Sequence, residues 1–137
     1  MMSEKNIRLK GNEAMTCAAT LIVDAMPGGD IHAFVRMAEY IDCVQVRGWC
    51  GSACTILLSA ERACVHDNAA LLFHGTDTGR DSRDFLNAVI MSLDWPERLR
   101  AWFLDGPWRL QGAEYAQLSG TEAQAMGVMG CDKLAPQ

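Results

Sequence analysis

Several features that mark common protein classes are missing from this chain of 137 residues. Its six cysteines include no C-x-x-C pair, so neither a zinc ribbon nor a thioredoxin-type redox site is indicated. No cluster of lysine and arginine is present to neutralise phosphates, and the net charge of -5 also argues against nucleic-acid binding. No apolar run approaches the roughly 20 residues that span a bilayer, so a membrane protein is not expected.

The first six residues contain no apolar core of the signal-peptide kind, which predicts a cytoplasmic protein. A periplasmic location is the alternative if the sequence was trimmed. Half of the residues (50%) are hydrophobic and 21% are charged, which is ordinary for a globular protein. We therefore expect one domain over residues 1–137.

The cysteines are expected to contribute mainly to packing. Cys17, Cys43 and Cys64 lie next to apolar residues and are predicted to be buried small hydrophobic side chains. Cys50 and Cys54 flank Ser52, and a disulfide between them is an alternative that a cytoplasmic location disfavours.

Hydrophobic periodicity predicts strands that alternate with helices. Residues 20–25 form a nearly continuous apolar run, as in a strand buried on both faces of a parallel sheet. Asp30 is placed to cap a helix over 31–41, and Pro96 either kinks a helix over 84–103 or begins a second one. The other predicted elements are strands at 6–11, 44–48, 64–66 and 70–73, helices at 53–60 and 121–127, and a polar loop at 76–83. This order indicates the α/β class with right-handed crossovers.

One small-residue turn carries a single hydroxyl, that of Ser52, and leads into an apolar run. The apolar run over 69–73 then ends on His74. Two consecutive structural units can in this way bring a serine nucleophile and its general base together. The ordinary alternatives are an N-cap serine and a structural histidine, and a cysteine nucleophile at Cys50 or Cys54 is disfavoured.

The strand predicted over 20–25 is followed by a Gly28-Gly29 turn. Such a turn can leave backbone N–H groups pointing at a developing oxyanion. Gly28 is therefore predicted to donate one N–H group and Ala53, at the start of the next helix, to donate the other. A simple tight turn is the alternative.

Four blocks of sequence, in order over residues 20–130, resemble the ClpP/crotonase superfamily. The likeness is strongest to small bacterial ClpP-like serine peptidases with a Cys-x-Ser-Ala-Cys-Thr turn, and the blocks are 26–29, 52–60, 62–74 and 118–128. The resemblance implies a compact spiral core of repeated β-β-α and βα units, with Ser52 as nucleophile, His74 as base and Gly28 in the oxyanion hole.

The acid of the catalytic triad is where this chain departs from the family. The aspartate of the family falls on Tyr115, so the neighbouring Glu114 becomes the candidate that orients His74. Asp105 and Asp77 are lesser candidates. The chain is also shorter than a full Clp protease subunit, so a double-ring barrel is not assumed.

The resulting hypothesis is a serine hydrolase, specifically a ClpP-like peptidase. No metal or cofactor is implied. We expect a peptide or protein substrate bound as an extended strand beside the sheet edge near the Gly-Gly turn, and a homo-oligomer; an ATP-driven unfoldase partner is left open. One alternative is a ClpP-like module that no longer catalyses and serves assembly or binding. Another is a crotonase-type acyl-thioester enzyme, which the presence of both Ser52 and His74 disfavours.

Overall fold

The computed structural model describes residues 17–133, so the strand predicted over 6–11 lies outside the described residues. The strands within this range are β1 (Thr20–Met26), β2 (Cys43–Gly51), β3 (Arg62–Val65), β4 (Ala70–Phe73), β5 (Ala116–Ser119) and β6 (Met129–Gly130). The α-helices are α1 (Ile31–Tyr40), α2 (Asp81–Ser92), α3 (Glu97–Asp105) and α4 (Gly120–Ala125). Short 3-10 helices lie at Ser52–Ser59, Pro107–Arg109 and Cys131–Lys133.

The strands form one mixed sheet in which β2 is central. β1 runs parallel to β2 along nearly its whole length, from Thr20 opposite Cys43 to Met26 opposite Cys50. On its other edge, β2 pairs with two strands in turn. Its first residues pair with β3, and its last three pair with β4. β6 extends the sheet beside β3 in parallel, and β5 adds to β4 as an antiparallel strand. The predicted α/β class is confirmed.

β1 is present where it was predicted, but the prediction that it is buried on both faces is wrong. Val23 alone in the strand is buried, whereas Ile22 is 45% exposed. Within the described chain β1 pairs only with β2, so it is an outer strand with little packed over it. An apolar run therefore indicated the strand correctly but not its place in the sheet.

The helix predicted over 84–103 is two helices. α2 ends at Ser92, and Pro96 directly precedes α3, since proline lacks the N–H group that a helix interior requires. α2 also begins three residues early, at Asp81, inside the stretch predicted to be a loop. Asp81 and Asp84 both lie in its first turn, where the helix dipole favours carboxylates.

α1 agrees with its prediction. The Asp30 side chain accepts a hydrogen bond from the backbone N–H of His32 at 3.3 Å, which caps the helix. Phe34 is the buried residue of this helix and packs into the core. Because α1 follows the Gly28-Gly29 turn directly, its position fixes where that turn lies.

An aromatic cluster around Phe73 forms the part of the core next to the histidine. The Phe73 ring packs edge-on against Trp95 and Trp102, at centroid distances of 5.5 and 5.1 Å. Such aromatic pairs contribute about 0.5–1.5 kcal/mol each beyond the area they bury. Phe73 immediately precedes His74, so this cluster holds the backbone of the histidine in place.

The cysteines differ from the prediction, because all six form disulfides. Cys43 and Cys64 are buried as expected, but neither they nor Cys17 is an unpaired hydrophobic side chain. The pairs are Cys17–Cys43, Cys50–Cys54 and Cys64–Cys131. The first and third pairs span 26 and 67 residues of sequence, so only the folded arrangement brings their partners together.

Candidate active site

Ser52 occupies a sharp turn between a strand and a helix. β2 ends at Gly51, and the 3-10 helix begins at Ser52, whose φ of +54° lies in the left-handed region. No other non-glycine residue in the described range has a positive φ. This conformation costs an L-residue roughly 1–2 kcal/mol. A serine held in a strained strand-to-helix turn is the arrangement of a nucleophile elbow, which exposes the hydroxyl above the sheet.

The ordinary role considered for Ser52, an N-cap, does not match the geometry. Gly51 occupies the N-cap position, and the helix that follows is a 3-10 helix over Ser52–Ser59 rather than an α-helix. The side chain of Ser52 makes no hydrogen bond to the part of the protein that the structure describes. It lines a surface pocket instead.

Three contacts fix the turn that carries Ser52. The Thr55 hydroxyl donates a hydrogen bond to the Ser52 carbonyl oxygen at 2.6 Å, and the buried Trp95 indole donates to the Thr55 carbonyl oxygen at 3.1 Å. The Cys50–Cys54 disulfide bridges the two sides of the turn. Because both sulfurs belong to this bond, neither cysteine is available as a thiolate nucleophile.

The Gly28-Gly29 turn packs directly against the Ser52 turn. A Cβ atom at Gly28 would lie 2.6 Å from Ser52 Cβ, 2.7 Å from the Ala53 backbone nitrogen and 2.9 Å from Ser52 Oγ. Only glycine fits at this position, since real Cβ atoms do not approach other atoms so closely. The two backbone segments predicted to form an oxyanion hole are therefore neighbours in the structure.

Ser52 and His74 face a common pocket of about 230 Å³. Its wall comes from the Gly-Gly turn, the start of the Ser52 helix and the loop after β4. The residues that line it are Gly29, Ile31, Ser52, Ala53, His74, Gly75, Thr76, Asp77, Met91 and Gly112. No hydrogen bond joins Ser52 to His74 among the described residues, and such bonds are often long before substrate binds.

His74 is held by its own neighbour in the chain. Its Nδ1 atom lies 2.7 Å from the Gly75 carbonyl oxygen, and a carbonyl accepts hydrogen bonds, so Nδ1 carries the proton. When the ring is neutral, Nε2 is the nitrogen that can accept a proton. A Cβ at Gly75 would overlap the Trp108 carbonyl oxygen, and the Gly75 N–H donates to Leu110 O at 2.8 Å. Gly75 is thus fixed from both sides.

A buried carboxylate organises the loop that follows His74. Asp84, only 2% exposed, accepts hydrogen bonds from the Thr76 hydroxyl at 2.7 Å and from the Thr78 hydroxyl at 2.8 Å. The Thr76 hydroxyl, followed by the Thr78 hydroxyl and N–H, lowers the pKa of Asp84, while burial opposes this effect. Thr76 and Asp77 line the pocket, so Asp84 shapes one of its walls. This role of Asp84 was not predicted, and its signal in the sequence is the cluster of polar residues at 76–84.

The predicted acid Glu114 is exposed and is absent from the pocket lining. In the described structure no hydrogen bond joins its carboxylate to His74. Of the lesser candidates, Asp77 lines the pocket, whereas Asp105 is exposed at the end of α3. The role of Glu114 stays a prediction.

Neither a metal site nor a membrane-spanning helix is found among the described residues. Over residues 17–133, no three or more His, Cys, Asp or Glu side chains are grouped so that they could hold a metal ion. Nor does any helix in that range have the length and apolar character needed to cross a membrane.

Comparison with known proteins finds similarity in structure only. No model of a protein family matches the sequence, and no curated protein matches it. A solved structure described as an enzyme is similar, with a TM-score of 0.56 and 11% sequence identity over 92% of this chain and 78% of the other. A crystal structure of a peptidase from Plasmodium falciparum is also similar, with a TM-score of 0.55 and the same identity and coverage. At this identity the likeness concerns the fold alone.

Proposed function

We propose that this protein is a serine hydrolase, specifically a peptidase with a compact ClpP/crotonase-type fold. The observation that carries the proposal is the left-handed Ser52 at the end of β2, which opens into the same pocket as His74. A strained serine that shares a pocket with a histidine is a suitable nucleophile and base.

The reaction follows from these positions. His74 Nε2 takes the hydroxyl proton while Ser52 Oγ forms a bond to the carbonyl carbon of the peptide. The N–H groups of Gly28 and Ala53 stabilise the resulting oxyanion. His74 then gives the proton to the leaving amine as the C–N bond breaks, and water hydrolyses the acyl-enzyme by the same steps. The Gly75 carbonyl keeps the Nδ1 proton in place throughout.

The ClpP/crotonase spiral is the proposed fold within the observed α/β class. Three of the four sequence blocks that resemble the family supply residues around the pocket, at the Gly-Gly turn, the Ser52 helix and the end of β4. The fourth block, 118–128, contains the end of β5 and all of α4. The similarity to a solved peptidase structure agrees with the α/β class and is compatible with a hydrolase.

A peptide substrate would lie near the outer edge of β1. This strand pairs only with β2 in the described chain, and it ends at Met26, two residues before Gly28. An extended peptide can add to such an edge through main-chain hydrogen bonds. We propose a homo-oligomer from the family resemblance; a monomeric mass in light scattering would contradict it.

The three disulfides favour an oxidising compartment over the expected cytoplasm, where thiols are kept reduced. We propose that the protein acts in such a compartment. The test is alkylation of protein prepared from its native host, followed by intact-mass measurement. No alkyl adduct before reduction would support the proposal, and six adducts would contradict it.

Fluorophosphonate labelling with intact-mass readout tests the proposed chemistry. We expect one adduct on the wild type, none on Ser52→Ala and a strongly reduced rate on His74→Ala. Ser59→Ala is the matched control, because Ser59 lies at the far end of the same 3-10 helix and should leave labelling unchanged. Absence of labelling in well-folded wild type would instead favour the non-catalytic assembly module.

A further inference from the structure

The Cys50–Cys54 disulfide encloses Ser52 at the middle of a five-residue segment. Cys50 is held in the sheet from both sides, opposite Met26 of β1 and Leu71 of β4. Cys54 lies in the 3-10 helix that follows, and both cysteines are fully buried. The bond therefore ties the start of the helix to a fixed point in the sheet.

A left-handed serine needs such a restraint. Residues in sparsely populated backbone conformations persist only where the surrounding structure over-determines them. Two of the restraints on the Ser52 turn act next to the serine itself: the disulfide and the hydrogen bond from the Thr55 hydroxyl to the Ser52 carbonyl oxygen. Of these two, only the disulfide spans the turn on both sides of the serine.

The three disulfides differ in what they can stabilise. Cys50–Cys54 joins residues four apart, whereas the other two pairs are 26 and 67 residues apart. The entropy that a cross-link removes from the unfolded chain grows with the length of the closed loop. The shortest bridge therefore contributes least to global stability, and its main effect is on the local conformation around Ser52.

We propose that the Cys50–Cys54 disulfide is a positioning element that holds Ser52 in the left-handed conformation required of the nucleophile. This inference rests on the proposed hydrolase function. Without the bond, Ser52 relaxes to a negative φ, and its hydroxyl moves away from the oxyanion hole formed with Gly28. A misplacement of about 1 Å reduces the rate roughly 100-fold.

The test compares Cys50→Ala/Cys54→Ala with Cys64→Ala/Cys131→Ala, a control that removes a bridge outside the pocket lining. For the first variant we expect a labelling rate about 100-fold below wild type and a small fall in Tm. For the control we expect a larger fall in Tm because it opens the longest loop, with a labelling rate close to wild type. Each rate is measured well below the Tm of that variant.

A crystal structure of the first variant gives a readout that does not depend on activity. A negative φ at Ser52 would support the proposal. A positive φ, or labelling at the wild-type rate, would overturn it. If the wild type itself fails to label, the proposed function is contradicted, while the φ of Ser52 still decides the positioning role. Should the double alanine variant not fold, Cys50→Ala/Cys54→Val restores buried volume and takes its place.

Discussion

His74 Nδ1 lies 2.7 Å from the carbonyl oxygen of Gly75, the next residue in the chain. In the neutral form of the ring this contact places the proton on Nδ1, because the carbonyl can only accept a hydrogen bond. Gly75 is itself fixed by its close packing against Trp108 and by its hydrogen bond to Leu110. The main chain therefore supports the His74 ring, which shares a pocket with Ser52.

Glu114→Gln tests whether a carboxylate has a part in orienting His74. We expect the labelling rate to fall by no more than about threefold, because the Nδ1 proton already has a partner. Loss of a triad carboxylate typically lowers the rate by about 10⁴-fold. The measurement is the fluorophosphonate labelling rate of the variant and the wild type at equal concentration. A fall in the labelling rate that approaches this size would show that Glu114 orients His74.

Gly28→Ala is expected to abolish most of the labelling. The added Cβ would lie 2.7 Å from the Ala53 nitrogen, so the two segments of the oxyanion hole must separate. Removal of one oxyanion donor lowers rates by about 10²–10³-fold, and we expect a loss in this range. Gly106→Ala is the control, since a Cβ there meets nothing within 4 Å. Unchanged labelling in Gly28→Ala would exclude the Gly-Gly turn from the site.

Asp84→Asn tests the buried carboxylate through the pH dependence of stability. The folded pKa of Asp84 is lowered, so its charged form stabilises the fold fully above about pH 4, and this contribution is lost as the pH falls through the folded pKa. Wild type should therefore have the higher Tm at about pH 6, and the difference should shrink at about pH 3. The measurement is the Tm of both proteins at each pH.

The control for this experiment is Asp24→Asn. Asp24 pairs with Arg47 at 2.8 Å, but both side chains are about half exposed, at 62% and 49%. Exposed ion pairs contribute little to stability, so the Tm of this variant should stay near that of wild type at neutral pH. If the two substitutions lower the Tm equally, the hydrogen bonds that Asp84 accepts from Thr76 and Thr78 stabilise the fold no more than the exposed ion pair does.

Local features were predictable because neighbouring residues determine them. The capping carboxylate of Asp30, the helix after it and the strand over 70–73 ending on His74 all follow from periodicity and side-chain type within a few residues. The small-residue turn at Ser52 was likewise visible, and the structure adds that its φ is positive.

Long-range relationships were not predictable in this way. Nothing in the apolar run of β1 reveals that it is an outer strand, because exposure depends on which strands lie beside it. The pairing of Cys64 with Cys131 depends on how β3 and β6 meet, 67 residues apart in the chain. The bonds from Thr76 and Thr78 to Asp84 depend on how the loop folds back onto the first turn of α2.

The sequence by itself determined the α/β class and the residue types at the site, since periodicity and small-residue turns act over a few residues of chain. The tertiary structure alone decided that Ser52, His74 and the Gly-Gly turn meet at one pocket. The segments that carry Ser52, His74 and the Gly-Gly turn lie more than 20 residues apart in the chain, and only the packing of the whole sheet brings them together.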